Sequence, residues 1–188
     1  MDEHIKEIIV KYGRDIICSD AFQKTFEQVH HKCMTVGDHM LSVTAEAVRQ
    51  CLSPGQADDK TLKGIVTASL CHDLGIMGRA EKYNNNAQCF VRHPADSILA
   101  YKALTGEDDI RIIDAINCHM FPLKPRMPRY REGWVLTWAD KVSAVKERLG
   151  RPPVSRAERD EILAMAQRKS QGGPADAHDR SPVKERRI

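Results

Sequence analysis

The chain has 188 residues, of which 41% are hydrophobic and 29% charged, the balance of a folded domain and not of a disordered or collagen-like chain. Its formal net charge of +3 is too small to argue for a nucleic-acid-binding surface, and no apolar run approaches the roughly 20 residues that cross a bilayer. Aromatic residues make up only 5%, so the core must rest on aliphatic side chains, which suits packed helices better than a sandwich of strands.

Apolar positions then recur at helical spacing from one segment to the next. Residues 3–17 carry Ile5, Ile8, Ile9, Tyr12 and Ile16, and Ser19 offers an N-cap for a short helix holding Phe22 and Phe26. A third helix is expected from about Asp38 to Leu52, with Ser53-Pro54-Gly55 as its break. Asp58 or Asp59 caps a fourth, from Lys60 to Asp73, with Gly75 at a natural stop. Residues 74–92, with three asparagines at 84–86, read as a long loop, and Pro94 as the first position of a helix ending at Thr105-Gly106. Glu107, Asp108 and Asp109 favour the start of the next helix, which ends near His119. After the prolines at 122, 125 and 128, a last long helix is expected from Arg131 to Leu149, and residues 156–169 read as one more exposed helix. The fold class is all-α, with a domain over 1–150, a helical extension from 151, and a disordered basic tail beyond Ser170. No strand is expected.

Cys18, Cys33, Cys51, Cys71, Cys89 and Cys118 are scattered without a C-x-x-C pair, and the opening segment is amphipathic and charged from Asp2. These features point to free, mostly buried thiols in the reducing cytoplasm, with no membrane partner.

Ionisable residues interrupt the apolar stripes. His72 continues the stripe of Leu62, Ile65 and Ser69; Asp73 that of Val66 and Leu70; His119 that of Ile112 and Ile116. Asp140 falls one turn after Leu136, and His39 one turn before Val43. A single histidine on an apolar face is far more often a hydrogen-bonded core residue than a ligand, and a lone His-Asp dipeptide is weak. Several such groups on different helices are another matter, because burying carboxylates unpaired is costly and a divalent metal gathers them. His4, His30 and His178 read as surface residues, while His31 stays ambiguous.

The segments HKCMTVGDHMLSVTAEA, SLCHDLGI and WADKVSA resemble the HD-domain superfamily of metal-dependent phosphohydrolases, over about residues 30–150. The resemblance implies His39, His72, Asp73 and Asp140 as metal ligands. The stretches RHPADSI and NCHMFPL are similar to a bacterial subgroup of that family. They imply His93 and His119 as ligands of a second ion, with Asp73 bridging. The implied cofactors are two divalent ions (Mn, Mg, Fe, Co, Ni or Zn), and the implied reaction is attack of a metal-activated hydroxide on a nucleotide-like phosphate ester. Asp73 with the cations Arg92 and Lys141 would form the catalytic group, and Arg92, Lys141 and Arg79 would contact the phosphate. Relatives that cleave deoxynucleoside monophosphates carry Glu three residues after the doublet, where this chain has Ile76, and the Gly-Tyr-Pro signature of cyclic-dinucleotide enzymes is absent. Two alternatives share the ligand set: a di-iron oxygenase of the same fold, and a non-catalytic nucleotide- or metal-sensing module.

Overall fold

In the computed structural model, which describes residues 1–31, 34–53 and 57–171, the Asp2 carboxylate accepts the His4 N–H and starts helix α1 (Glu3–Ile17). Its apolar stripe is buried from Ile5 to Ile17. Ser19 caps the short helix α2 (Asp20–Gln23), accepting from Phe22 N at 3.2 Å, and a 3-10 turn over Lys24–Phe26 follows. Next comes an element the sequence did not announce, a small antiparallel hairpin of β1 (Val29–His31) and β2 (Met34–Thr35). Two strands of three and two residues are too short for an alternation of apolar and polar positions to register.

Helix α3 (Val36–Leu52) begins two residues earlier than expected, because Asp38 is not the cap. Thr35 is: its hydroxyl accepts Asp38 N at 3.1 Å while the Asp38 carboxylate accepts Thr35 N at 3.2 Å, a capping box. From Val36 to Val48 every side chain is buried, so α3 is the central helix, flanked by α4 (Asp59–Cys71) and α8 (Arg131–Arg148). The expected break at Ser53-Pro54-Gly55 lies mostly outside the described residues, as do Cys33, His178 and the expected tail from residue 172. Asp58, not Asp59, caps α4 through Thr61 N at 2.8 Å. That helix stops at Cys71, which leaves His72 as its C-cap and Asp73 just beyond.

The expected loop over 74–92 is instead largely helical. Leu74–Ile76 forms a 3-10 turn, Arg79–Lys82 a short helix α5, and α6 runs from Asn86 to Thr105 with Pro94 inside it. The asparagine run is a start signal: Asn85 accepts Gln88 N at 2.8 Å. Pro94 cannot return a hydrogen bond to the Phe90 carbonyl, a defect costing about 3 kcal/mol in an isolated helix. Tertiary contacts hold the turn of α6 that follows it. Ser97 Oγ accepts Gly75 N at 2.9 Å, and the Tyr83 hydroxyl bonds Asp96 and the Gly75 carbonyl at 2.5 and 2.8 Å. A β-carbon at Gly75 would collide with the backbone of His93 and Ser97, so this glycine permits the turn after Asp73 to press onto α6. Gly106, at φ 68°, ends α6 in the left-handed conformation.

Helix α7 (Ile110–Cys118) is capped by Asp109 and ends with His119 as C-cap. Asp114 on α7 accepts Arg129 N at 2.8 Å, which fixes the approach to α8. The last helix, α9 (Arg156–Gln171), was expected to be exposed but packs on α1 and buries Ile162 and Ala166 completely. Arg159 on it bonds Asp38 at 3.0 Å. Among the described residues, Cys18, Cys51, Cys71, Cys89 and Cys118 are free thiols, and no helix is long and apolar enough to cross a membrane.

Candidate metal centre

Five elements deliver side chains to one buried point. α3 contributes His39, the end of α4 contributes His72 and Asp73, α6 contributes His93, the end of α7 contributes His119, and α8 contributes Asp140. All six are buried. His72 and His119 occupy the C-cap positions of α4 and α7, still with helical backbone dihedrals.

The Asp73 carboxylate stands at the middle. Its Oδ2 lies 3.5 Å from His72 Nε2 and 4.0 Å from His39 Nε2, while its Oδ1 lies 3.5 Å from His93 Nε2 and 3.6 Å from His119 Nε2. Asp140 Oδ1 is 3.2 Å from His39 Nε2. Within the cluster, His39, His72 and Asp140 form one group able to hold an ion, and Asp73, His93 and His119 another.

Hydrogen bonds on the far side of each ring set its tautomer. His72 Nδ1 donates to the Ser69 carbonyl at 2.8 Å, His93 Nδ1 to the Cys89 carbonyl at 2.9 Å, and His119 Nδ1 to the Ile116 carbonyl at 2.7 Å. Carbonyl oxygens only accept, so in the neutral rings each Nε2 is a bare lone pair aimed inward. His93 Nε2 and His119 Nε2 face each other at 3.0 Å, and two lone pairs at that distance repel unless a cation lies with them. His72 Nε2 is buried without a hydrogen-bond partner, which is costly in the absence of an ion. Donors held about 2.1 Å from a common ion lie roughly 3 to 4.2 Å apart, the range found here. Imidazole nitrogen with carboxylate oxygen is the ordinary donor set for divalent first-row metals.

His39 is held differently. Its Nδ1 bonds both Glu147 oxygens at 3.0 Å, the carboxylate–imidazole pairing that supports metal-ligating histidines. Burial opposes charge on this ring, yet the bonds to Asp140 and Glu147 prevail and raise its pKa to about 10. Burial likewise pushes His119 down, to about 3, with the neighbouring His72 adding to the effect. Burial works against the Asp73 carboxylate, but the surrounding His72, His93, His30 and His119 hold it below the usual carboxylate range. Asp140 is also held low, against burial, chiefly by the hydrogen bond from His39.

A cavity of about 500 Å³ opens onto the cluster. Asp73, His93, His119 and Asp140 line it together with the cations Arg79, Lys141 and Arg148 and an apolar wall of Ile76, Phe90, Met120 and Leu123. Lys141 Nζ donates to Asp140 Oδ2 at 2.7 Å and to the His119 carbonyl at 3.0 Å; Arg79 Nη2 donates to the Val29 carbonyl at 3.2 Å. Arg92 is a correction. It is exposed on α6 and does not line the cavity, because consecutive helix residues do not share a face and His93 is the one turned inward.

Three residues of the site escaped the sequence reading. His30, expected at the surface, lines the cavity with its Nε2 3.9 Å from Asp73 Oδ2. Glu147 was readable, since it lies seven residues after Asp140 and shares its helix face. Arg148 offered no signal beyond its charge.

The class defined by this fold and site is a mainly helical domain around an inward histidine–aspartate cluster. Residues 36–145, more than half of the chain, match the family model described as HD domain. The chain belongs to the HD-domain family, part of the superfamily of metal-dependent phosphohydrolases, whose members bind divalent metals. Neither the curated proteins nor the solved structures contain a significant match to the chain.

Proposed function

We propose that this protein hydrolyses a small, nucleotide-like phosphate ester at a centre of two divalent metal ions. The observation that carries this reading is the division of Asp73, whose two oxygens face two separate sets of histidines. His39, His72, Asp140 and Asp73 Oδ2 would hold one ion; Asp73 Oδ1, His93 and His119 would hold the other. When bound, the ions would supply positive charge to the phosphate oxygens and a water acidic enough to act as nucleophile near neutral pH.

The chain's own residues would do the rest. Two of the three Lys141 donors are engaged by Asp140 and the His119 carbonyl, and the third would be available to a phosphate oxygen in the cavity that Lys141 lines. Arg79, braced on the Val29 carbonyl, presents a planar fork suited to the same group. The wall of Ile76, Phe90, Met120 and Leu123 would seat the organic part of the ester and keep bulk water from the phosphate. Ile76 stands where relatives that cleave deoxynucleoside monophosphates carry Glu, and as part of the apolar wall it favours an ester recognised through apolar and stacking contacts.

The test is a screen of phosphomonoesters and phosphodiesters against the protein stripped of metal and then reloaded with Mn²⁺, Co²⁺, Ni²⁺, Zn²⁺ or Fe²⁺. Metal-dependent phosphate release, absent from the stripped protein, is expected. Substrate-dependent oxygen consumption by the iron-loaded form, with no phosphate released from any ester, would replace hydrolysis with the oxygenase alternative.

A further inference from the structure

His30 lies outside the segment that matches the family, which begins at residue 36. It sits on β1, a strand with no counterpart among the helices that carry the other ligands. Even so its ring is largely buried, with 12% of the side chain exposed. It packs on the His39 ring at 4.6 Å between centroids, tilted by 33°. Its Nε2 is 3.9 Å from Asp73 Oδ2, nearly the 4.0 Å that separates His39 Nε2 from the same oxygen. His30, His39 and Asp73 also satisfy the spacing of a metal-holding triad by themselves.

We propose that His30 is a fifth protein ligand of the ion on the Oδ2 side of Asp73, so that the exchangeable coordination positions belong to the His93–His119 side. This rests on the two-metal reading above. The Oδ2 side then has three imidazole nitrogens (His30, His39, His72) and two carboxylate oxygens (Asp73, Asp140). Five protein donors leave a six-coordinate ion one further place. The Oδ1 side has three donors, which leaves room for water and a phosphate oxygen. The cavity agrees with this division. His93 and His119 line it; from the Oδ2 side His30 and Asp140 also reach it, whereas His39 and His72 do not, and His30 packs against the His39 ring. Substrate would therefore meet the His93–His119 ion, while His30 shields its neighbour.

The test uses the full chain loaded with Co²⁺, whose visible spectrum reports coordination number, and chelator competition, which reports affinity. His30→Ala should intensify the visible bands as the crowded ion loses a ligand. It should also weaken the affinity of one of the two ions by at least the roughly 10- to 100-fold that loss of an outer-shell partner costs. His30→Cys should introduce a thiolate-to-cobalt charge-transfer band in the near ultraviolet. Val29→Ala, on the same strand but exposed, should do neither. If His30→Ala keeps the wild-type spectrum and both affinities, or His30→Cys folds and loads two ions without a new band, His30 is not a ligand although the two-metal centre stands. If the wild-type chain takes up no cobalt, the two readings fall together.

Discussion

On the Oδ2 side of Asp73 the His39 ring is clasped between two carboxylates, Asp140 and Glu147, whereas on the Oδ1 side His93 and His119 are held at Nδ1 by backbone carbonyls. The first arrangement concentrates negative charge in a buried place, so without metal it retains a proton, as the elevated pKa of His39 records. The second offers two nitrogens and a shared carboxylate oxygen, with His119 kept neutral by burial. One side is thus built to grip a cation and the other to exchange one. The proposed division of labour, a holding ion and a substrate ion, follows from that contrast.

The change that should damage the comparison most is removal of the group both sides share. Asp73→Ala should lower metal content below one ion per chain and cut phosphate release by at least roughly a thousandfold, the rate equivalent of several kcal/mol of lost transition-state stabilisation. Its helical circular-dichroism spectrum should survive. Next in size, His93→Ala should leave one ion per chain, on the Oδ2 side, and little activity; elemental analysis after gel filtration checks this.

A smaller effect sharpens the contrast. Glu147→Gln should weaken the Oδ2-side ion by roughly 10- to 100-fold and leave the other unchanged. In the wild type, binding on the Oδ2 side must displace the proton of His39, whose pKa is raised to about 10. Affinity there should rise with pH toward that value, by about tenfold per unit at most. His119, pushed down to about 3, has no proton to lose near neutrality and adds no such slope. Titration calorimetry in buffers of different ionisation enthalpy separates the two. Smallest of all, Arg92→Ala should change kcat/KM by less than about twofold, whereas Lys141→Ala should raise KM for the ester severalfold, as loss of one charge-assisted hydrogen bond would.

How far the sequence foresaw this depends on periodicity. The α1, α3, α4, α7 and α8 stripes were readable because apolar residues recur at helical spacing in each, and His39, His72, Asp73, His119 and Asp140 were readable as polar interruptions of those stripes. The structure brings all five together with His93. What periodicity lacks, it could not show. The β1–β2 hairpin is too short to have a period, so in the sequence His30 looks like any surface histidine. The start of α6 was hidden because a run of asparagines reads equally as loop or cap, and because the contacts that hold this stretch of α6, from Gly75 to Ser97 and from Tyr83 to Asp96, are distant in sequence. Arg92 is adjacent to His93 in sequence, and on a helix adjacency points a side chain elsewhere. Lys141 also neighbours a ligand, but its long flexible stem curls back onto Asp140.

The central claim is that Asp73 divides two metal positions of unequal character, and a metal titration of the stripped wild-type chain tests it most directly. Two binding steps are predicted, the tighter one releasing a proton at neutral pH and the weaker one removed selectively by His93→Ala. A single step of one ion per chain, or two steps that His93→Ala weakens equally, would contradict it.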